Sequence, residues 1–280
     1  MPELPEVETI ARSLRPALVG KTILAADLRW ERTLAAPSPK KFREQIKGQR
    51  IEDTSRRAKY FILQLSSFSF LVHLRMSGDL LLKEGDYQPG KHDRLILFLA
   101  SAPSPLEGGA RVGRQVLVFN DPRKFGRVWL TANPDEVLGG LGPEPLDSAF
   151  TAEAFYERLS AHRRQLKPLL LDQTFLAGLG NIYADETLHA ARLYPLIASD
   201  RVTLAQAKAL FHAIRQVLRD GIEHNGSSID WVYRRGEHQN HFRVYGRQGE
   251  PCSVCGTVIE RITVGQRGTH FCPTCQSATR

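Results

Sequence analysis

Two groups of residues in this 280-residue chain could do chemistry, one at its start and one close to its end. The first is Pro2-Glu3. Removal of Met1, expected before so small a residue, leaves Pro2 as a free secondary amine. An α-amino group titrates at about 7.7–8.0, so a useful fraction is unprotonated near neutrality. Amine nucleophiles form Schiff bases with carbonyl centres, and the adjoining Glu3 carboxyl can carry the protons that such a step moves. Taken alone, the dipeptide is also an ordinary way for a protein to begin. The second group is Cys252-x-x-Cys255, sixteen residues, then Cys272-x-x-Cys275. Four thiolates at this spacing close a tetrahedron around zinc and leave no open position, which makes the metal structural. A redox pair is the metal-free alternative. All four cysteines lie in the last 29 residues, which points to metal binding and away from a disulfide scaffold.

Other clusters carry weaker signals, each with a plain alternative. Arg56-Arg57-Ala58-Lys59 precedes an apolar strand and offers a cation at a strand start, or a solvated charge run. His73-Leu74-Arg75-Met76-Ser77-Gly78 ends in a turn, with Met76 either filling a core or standing out as an apolar wedge. Asn120-Asp121-Pro122-Arg123-Lys124-Phe125-Gly126 is a tight turn with two cations and an aromatic. Apolar side chains pushed between base steps are a known means of kinking DNA, which would account for Phe125 at a turn tip. Gly178-Leu179-Gly180-Asn181 precedes a helix with Asn181 placed as its N-cap, a geometry that suits an anion or a plain cap. Gly265-Gln266-Arg267-Gly268 reads as a hairpin turn with Arg267 at its tip, fit for a phosphate or simply exposed.

The elements that hold these residues follow from pattern. Pro5 suits a first helical turn, Val7, Ile10, Ala11 and Leu14 share one face, and Pro16 is expected to stop the run. Thr22–Leu28, Ile51–Thr54, Tyr60–Leu65, Phe68–Leu74, Arg94–Leu99, Gln115–Phe119 and Arg127–Leu130 read as strands, with a helix over Pro39–Ile46. Short strands at close intervals predict an antiparallel sandwich or barrel. Ser101–Gly113 reads as a mobile loop and Asn133–Pro145 as a linker. Beyond it the pattern is helical: Ala152–Leu159, then His162-Arg163-Arg164, then a short helix opened by Lys167-Pro168. Thr203 with Gln206 forms a capping box for a long helix whose stripe of Ala207, Leu210, Phe211, Ile214, Val217 and Leu218 is core. Gly226 ends it, and Ser227–His241, with Trp231, Tyr233, Arg234, Arg235 and His238, is a substrate-covering loop or a long connection.

Composition bounds the rest. A hydrophobic fraction of 42% is that of an ordinary globular protein, and the mean hydropathy of -0.29 agrees. Neither a charged-then-apolar leader nor a long apolar run is seen, so neither secretion nor membrane spanning is expected. A net charge of +8 suits a polyanionic partner, nucleic acid first.

Taken together these residues resemble the bacterial formamidopyrimidine-DNA glycosylases over nearly the whole chain. The resemblance rests on Pro2-Glu3-Leu4-Pro5-Glu6-Val7-Glu8-Thr9, Lys59-Tyr60, Asp121-Pro122-Arg123-Lys124-Phe125-Gly126, Gly180-Asn181-Ile182-Tyr183 and Val244-Tyr245-Gly246-Arg247, in that order. It implies an α+β multidomain protein: an N-terminal antiparallel β-sandwich with flanking helices (1–132), a linker (133–147), a helix-two-turn-helix domain with the substrate loop (148–243) and a four-cysteine zinc-finger β-hairpin (244–280). The implied activity is excision of 8-oxoguanine and formamidopyrimidines from double-stranded DNA, followed by strand cleavage through β,δ-elimination. Pro2 would attack C1′ of the flipped nucleotide, Glu3 donate a proton, Lys59 serve the elimination, and Arg267 bind phosphates at the lesion and assist the second elimination. His92, Lys124 and Arg163 would contact DNA, Lys167 and Asn181 grip phosphates near the lesion, and Met76, Arg123 and Phe125 fill the gap left by the base. Cys252, Cys255, Cys272 and Cys275 would hold one zinc ion. A monomer in the bacterial cytoplasm is expected. Two departures stand out: Lys124 where the family often has arginine, and Ala58 in place of a common glycine. The alternatives are an endonuclease VIII-type enzyme for oxidised pyrimidines and a damaged-DNA-binding protein without catalysis.

Overall fold

The computed structural model describes residues 1–100, 115–228 and 236–277. The expected loop Ser101–Gly113, and Trp231, Tyr233, Arg234 and Arg235 of the polar segment, lie outside the described residues. The chain divides into two compact units. The first contains Met1–Pro2, Glu6–Gly139 and Ser228; the second contains Glu3–Pro5, Gly140–Ser227 and 236–277.

In the first unit, α1 (Leu4–Leu18) buries Val7, Ile10, Ala11, Leu14 and Leu18 on one face. The helix passes Pro16 and does not stop there. Proline in a last turn forfeits only one backbone bond, and Leu18, fully buried, keeps the final turn docked. The strands are β1 (Thr22–Leu28), β2 (Leu34–Ala36), β3 (Ile51–Arg57), β4 (Tyr60–Leu65), β5 (Ser69–His73), β6 (Asp79–Glu84), β7 (Asp93–Ala100), β8 (Gln115–Asn120) and β9 (Arg127–Thr131), with α2 (Pro39–Ile46) after β2. They form two sheets, of order β1-β7-β8-β6 and β2-β9-β5-β4-β3. Alternate residues of both, such as Leu95, Leu97 and Leu117 from one and Phe61, Phe70 and Val128 from the other, enter a single core with α1 and α2. This is the expected sandwich, antiparallel except for the β2–β9 pair. Sequence pattern missed β2 and β6. The first is three residues long. The second mixes its apolar run with Asp79, Lys83 and Glu84, so no alternation is visible.

The second unit is helical, with α4 (Ala152–Ser160), α5 (Leu166–Leu171), α6 (Asn181–Ala190) and α7 (Leu204–Glu223) around a core that includes Leu4, Phe155, Leu170, Tyr183, Leu188, Phe211 and Ile214. A one-turn helix, α3 (Asp135–Leu138), sits in the stretch read as linker and belongs to the first unit. Thr203 caps α7 through the predicted box, with both reciprocal bonds present. The long stripe on α7 is buried except for the half-buried Val217. At the end of this unit β10 (Glu260–Val264) and β11 (Arg267–Phe271) pair as a hairpin. Its two-residue loop is Gly265-Gln266, with φ of 52° and 63°. Both residues at positive φ define the turn that matches strand twist. Arg267 is therefore paired with Val264 as the first residue of β11 and not the turn tip.

Candidate functional site

Glu3 is held within the second unit, to which it belongs. Its Oε1 accepts the Ile182 N–H at 3.1 Å, in the first turn of α6. Leu4 N–H donates to the Gly178 carbonyl at 3.1 Å. A Cβ on Gly180 would collide with the Glu3 carboxyl, so only glycine lets that carboxyl approach. The free N–H groups and dipole of a helix N-terminus favour an anion, and the anion here is Glu3. Gly180 is the N-cap, and Asn181 is the first helical residue, not the cap expected from sequence. Its Nδ2 donates to the Gly268 carbonyl at 3.1 Å. Pro2, one residue before Glu3, is buried.

The same helix braces β11. Lys167 is fully buried; its Nζ donates to the Gly268 carbonyl at 3.1 Å and Thr269 Oγ1 at 2.8 Å and pairs with Asp185 Oδ1 at 2.6 Å. Asp185 Oδ2 accepts the His270 N–H at 2.9 Å. Burial draws the Lys167 ammonium below the usual lysine range, with Asp185 and Glu3 opposing and Arg267 adding to the fall. Asn181, Asp185 and Lys167 thus fix Gly268, Thr269 and His270, the residues that follow the exposed Arg267. Asp185 escaped sequence reading; the signal was a carboxylate four residues after Asn181 in a helix buried nearly all round. Arg163 is 86% exposed, with Asp200 3.8 Å away.

In the first unit, Arg57 pairs with Tyr60 across a two-residue turn of Ala58 and Lys59. Ala58 holds φ of 53°, a left-handed conformation that costs a non-glycine residue about 1–2 kcal/mol. Lys59 is buried. Arg56 pairs with Glu8 at 2.8 Å and so is no free cation. The two turns with apolar tips are joined. Asp121, fully buried, accepts from the Ser77 hydroxyl, from Arg123 N–H at 3.2 Å and from Gly126 N–H at 2.7 Å. Met76, next to Ser77, is 40% exposed and Phe125 50%. The Arg123 guanidinium lies 5.2 Å from the Phe125 ring centre. Lys124, at φ of 62°, sets its Nζ 4.0 Å over the Trp30 ring. Trp30 was not legible as part of this site, because nothing local links it to the turn. His92 is half-buried; its carbonyl accepts the Asp121 N–H at 2.9 Å.

The sulfurs of Cys252, Cys255, Cys272 and Cys275 all lie within 4.8 Å of one another, with closest separations of 3.4, 3.5 and 3.9 Å. Tetrahedral Zn–S bonds of about 2.3 Å require sulfurs about 3.8 Å apart. Val254 and Cys275 N–H groups point at Cys252 and Cys272 sulfurs. The set fits a structural zinc ion, and His189 Nε2 lies 3.4 Å from Cys252 Sγ as an outer partner.

Residues 1–128 match the formamidopyrimidine-DNA glycosylase N-terminal domain, 141–232 the formamidopyrimidine-DNA glycosylase H2TH domain, and 249–278 the zinc finger found in FPG and IleRS. A formamidopyrimidine-DNA glycosylase of Chloroflexus aurantiacus is 48% identical, over 99% of this chain and 98% of its own. One from Protochlamydia amoebophila is 42% identical over 99% of both. Among solved structures, a Lactococcus lactis FPG variant complexed with Fapy-dG-containing DNA superposes with a TM-score of 0.89 at 35% identity, covering 99% of this chain and 100% of that one. MutM in complex with DNA containing carbocyclic 8-oxo-G does so with a TM-score of 0.88 at 36% identity, over 99% and 100%. With its three segments matched in order and its relatives aligned end to end, the chain belongs to the formamidopyrimidine-DNA glycosylase family.

Proposed function

We propose that this protein is a DNA glycosylase of base excision repair that removes oxidised purines, 8-oxoguanine and formamidopyrimidines, and then cleaves the strand as an AP lyase. The observation that carries the reading is a full-length family member that opens Pro2-Glu3, with the Glu3 carboxylate fixed on the first turn of α6. The Pro2 nitrogen, freed by loss of Met1, attacks C1′ of an extruded nucleotide. The glycosidic bond breaks with its electron pair leaving on the base, which takes up a proton. The Glu3 carboxylate takes the proton that the Pro2 nitrogen sheds on bonding to C1′ and returns it to O4′ as the sugar ring opens, leaving an iminium between C1′ and Pro2. Loss of a C2′ proton, with Lys59 serving the elimination, expels the 3′-phosphate. Arg267 holds the phosphates at the lesion and assists the second elimination.

His92, Lys124 and Arg163 contact the DNA backbone. Asn181 acts near the lesion phosphates, whereas Lys167, expected from sequence to grip them, is fully buried with its three N–H groups engaged and acts through the Gly268 carbonyl that both residues hold, which sets Arg267. Met76, Arg123 and Phe125 fill the space of the extruded base, offsetting part of an unstacking cost of a few kcal/mol. The four cysteines hold zinc for the hairpin alone, outside the chemistry. The protein works as a monomer on the DNA of the bacterial cytoplasm; among the described residues no helix is long and apolar enough to cross a membrane.

The test is borohydride reduction of Met1-free, zinc-loaded protein with an 8-oxoguanine duplex, read by intact mass. A covalent adduct is expected, absent in Pro2→Gly while duplex binding persists. No adduct from the wild type would leave only a DNA-binding protein. Much faster excision of thymine glycol than of 8-oxoguanine would move the substrate to oxidised pyrimidines.

A further inference from the structure

The end of α7 and the short 3-10 turn His238–His241 bring three imidazoles to the wall of one cavity of about 730 Å³. In a 3-10 turn the side chains at i and i+3 eclipse, and His238 and His241 stack accordingly, with ring centres 6.3 Å apart and planes 23° from parallel. His224, which follows the last residue of α7, faces them. Its ring centre lies 4.0 Å from that of His241 and 5.9 Å from that of His238.

Among the described residues only the four cysteines already hold their ligand atoms at metal-binding separation, so the three imidazoles must turn to converge, and two of them have a nitrogen available for it. His224 Nδ1 lies 2.8 Å from the Asp220 carbonyl oxygen. A carbonyl only accepts, so Nδ1 bears the proton and Nε2 keeps its lone pair. Metal-bound histidines are oriented in this way, by giving the other ring N–H to a backbone carbonyl. His238 is 5% exposed, stacks at 5.4 Å on Tyr183, and its buried Nδ1 has no hydrogen-bond partner. An unpartnered buried nitrogen is costly unless a ligand meets it. Asp220 lines the same cavity and supplies negative charge.

We propose that His224, His238 and His241 form a second metal site, separate from the cysteines, for an imidazole-preferring divalent cation of the Ni²⁺, Cu²⁺ or Zn²⁺ kind. Ring centres 4.0, 5.9 and 6.3 Å apart put the three imidazoles around one point, and binding requires their rings to turn toward it. Arg219 and Arg243, also on the cavity wall, favour water or a small anion in the remaining coordination positions.

The test is calorimetric titration of Ni²⁺ into the full-length protein already carrying one zinc. One Ni²⁺ per chain is expected. His224→Gln and His241→Gln should each weaken it at least tenfold, while zinc stays at one per chain. His212→Gln, which lines the cavity outside the imidazole cluster, should leave the affinity unchanged. Ni²⁺ should raise the melting temperature of the wild type and not of the H224Q/H241Q double variant, whose circular dichroism should match the wild type. No uptake, equal uptake by the double variant, or an equal loss in H212Q would overturn the site. So would a cavity that takes inorganic phosphate without metal and is indifferent to Ni²⁺.

Discussion

At His73 a single proton carries a measurable cost. The ring Nδ1 accepts the Arg75 N–H at 3.1 Å, which puts the neutral ring's proton on Nε2, and the ring meets Tyr60 edge-on at 4.8 Å. Burial first, then the Arg75 and Lys59 charges, lowers its pKa to about 3. An unfolded histidine takes up its proton near pH 6.5, as the folded one does not. Stability from this group is therefore full above pH 6.5 and declines as pH falls toward 3, because the unfolded chain binds the extra proton. His73→Gln should flatten that limb by one proton, about 1.4 kcal/mol per pH unit between pH 6 and 4. Urea unfolding at several pH values measures it, and an unaltered slope would contradict the assignment. His238 acts in the same direction, so the limb is reduced and not abolished. Residue chemistry of this sort is poorly legible in sequence: the cations of the Asp121 turn are visible there, whereas Trp30 under Lys124 is supplied only by the fold.

Between elements, the Lys167–Asp185 pair decides how firmly α5 and α6 hold β11. Both side chains are fully buried. Lys167→Met strands the Asp185 charge and should cost about 3–5 kcal/mol. Lys167→Met with Asp185→Asn should recover much of it, since the neutral amide removes the stranded charge and still accepts the His270 N–H. Denaturant midpoints distinguish the two; equal losses would mean that the bonds to Gly268 and Thr269, and not the ion pair, carry the joint. The helices themselves were readable because their signals are local: the Thr203–Gln206 box and the stripe of Leu210, Ile214 and Leu218 sit within a few turns. The errors share one cause. Pro16, Asn181 and Arg267 were assigned by local rules, but Leu18 burial, the Glu3 carboxyl against Gly180 and the Val264–Arg267 register are set by contacts distant in sequence or by strand pairing. The four cysteines were fully legible, because metal geometry dictates their spacing.

For the molecule as a whole, a charge of +8 and a zinc-pinned hairpin bear on how DNA is held. Chelation of the metal should release one zinc per chain, lower the melting temperature and weaken binding to a lesion duplex, since structural zinc contributes folding energy directly. Binding that survives metal loss undiminished would remove β10 and β11 from the DNA contacts. The sulfur spacing has a further consequence. Thiols 3.4 to 3.9 Å apart need travel less than about 2 Å to reach a disulfide bond. Stripped of its ion in air, the knuckle would seal itself as cystine, and reloading would then demand a reductant. Loss of the ion and loss of the thiols would thus become one event for the hairpin, reversed only by zinc and reductant together.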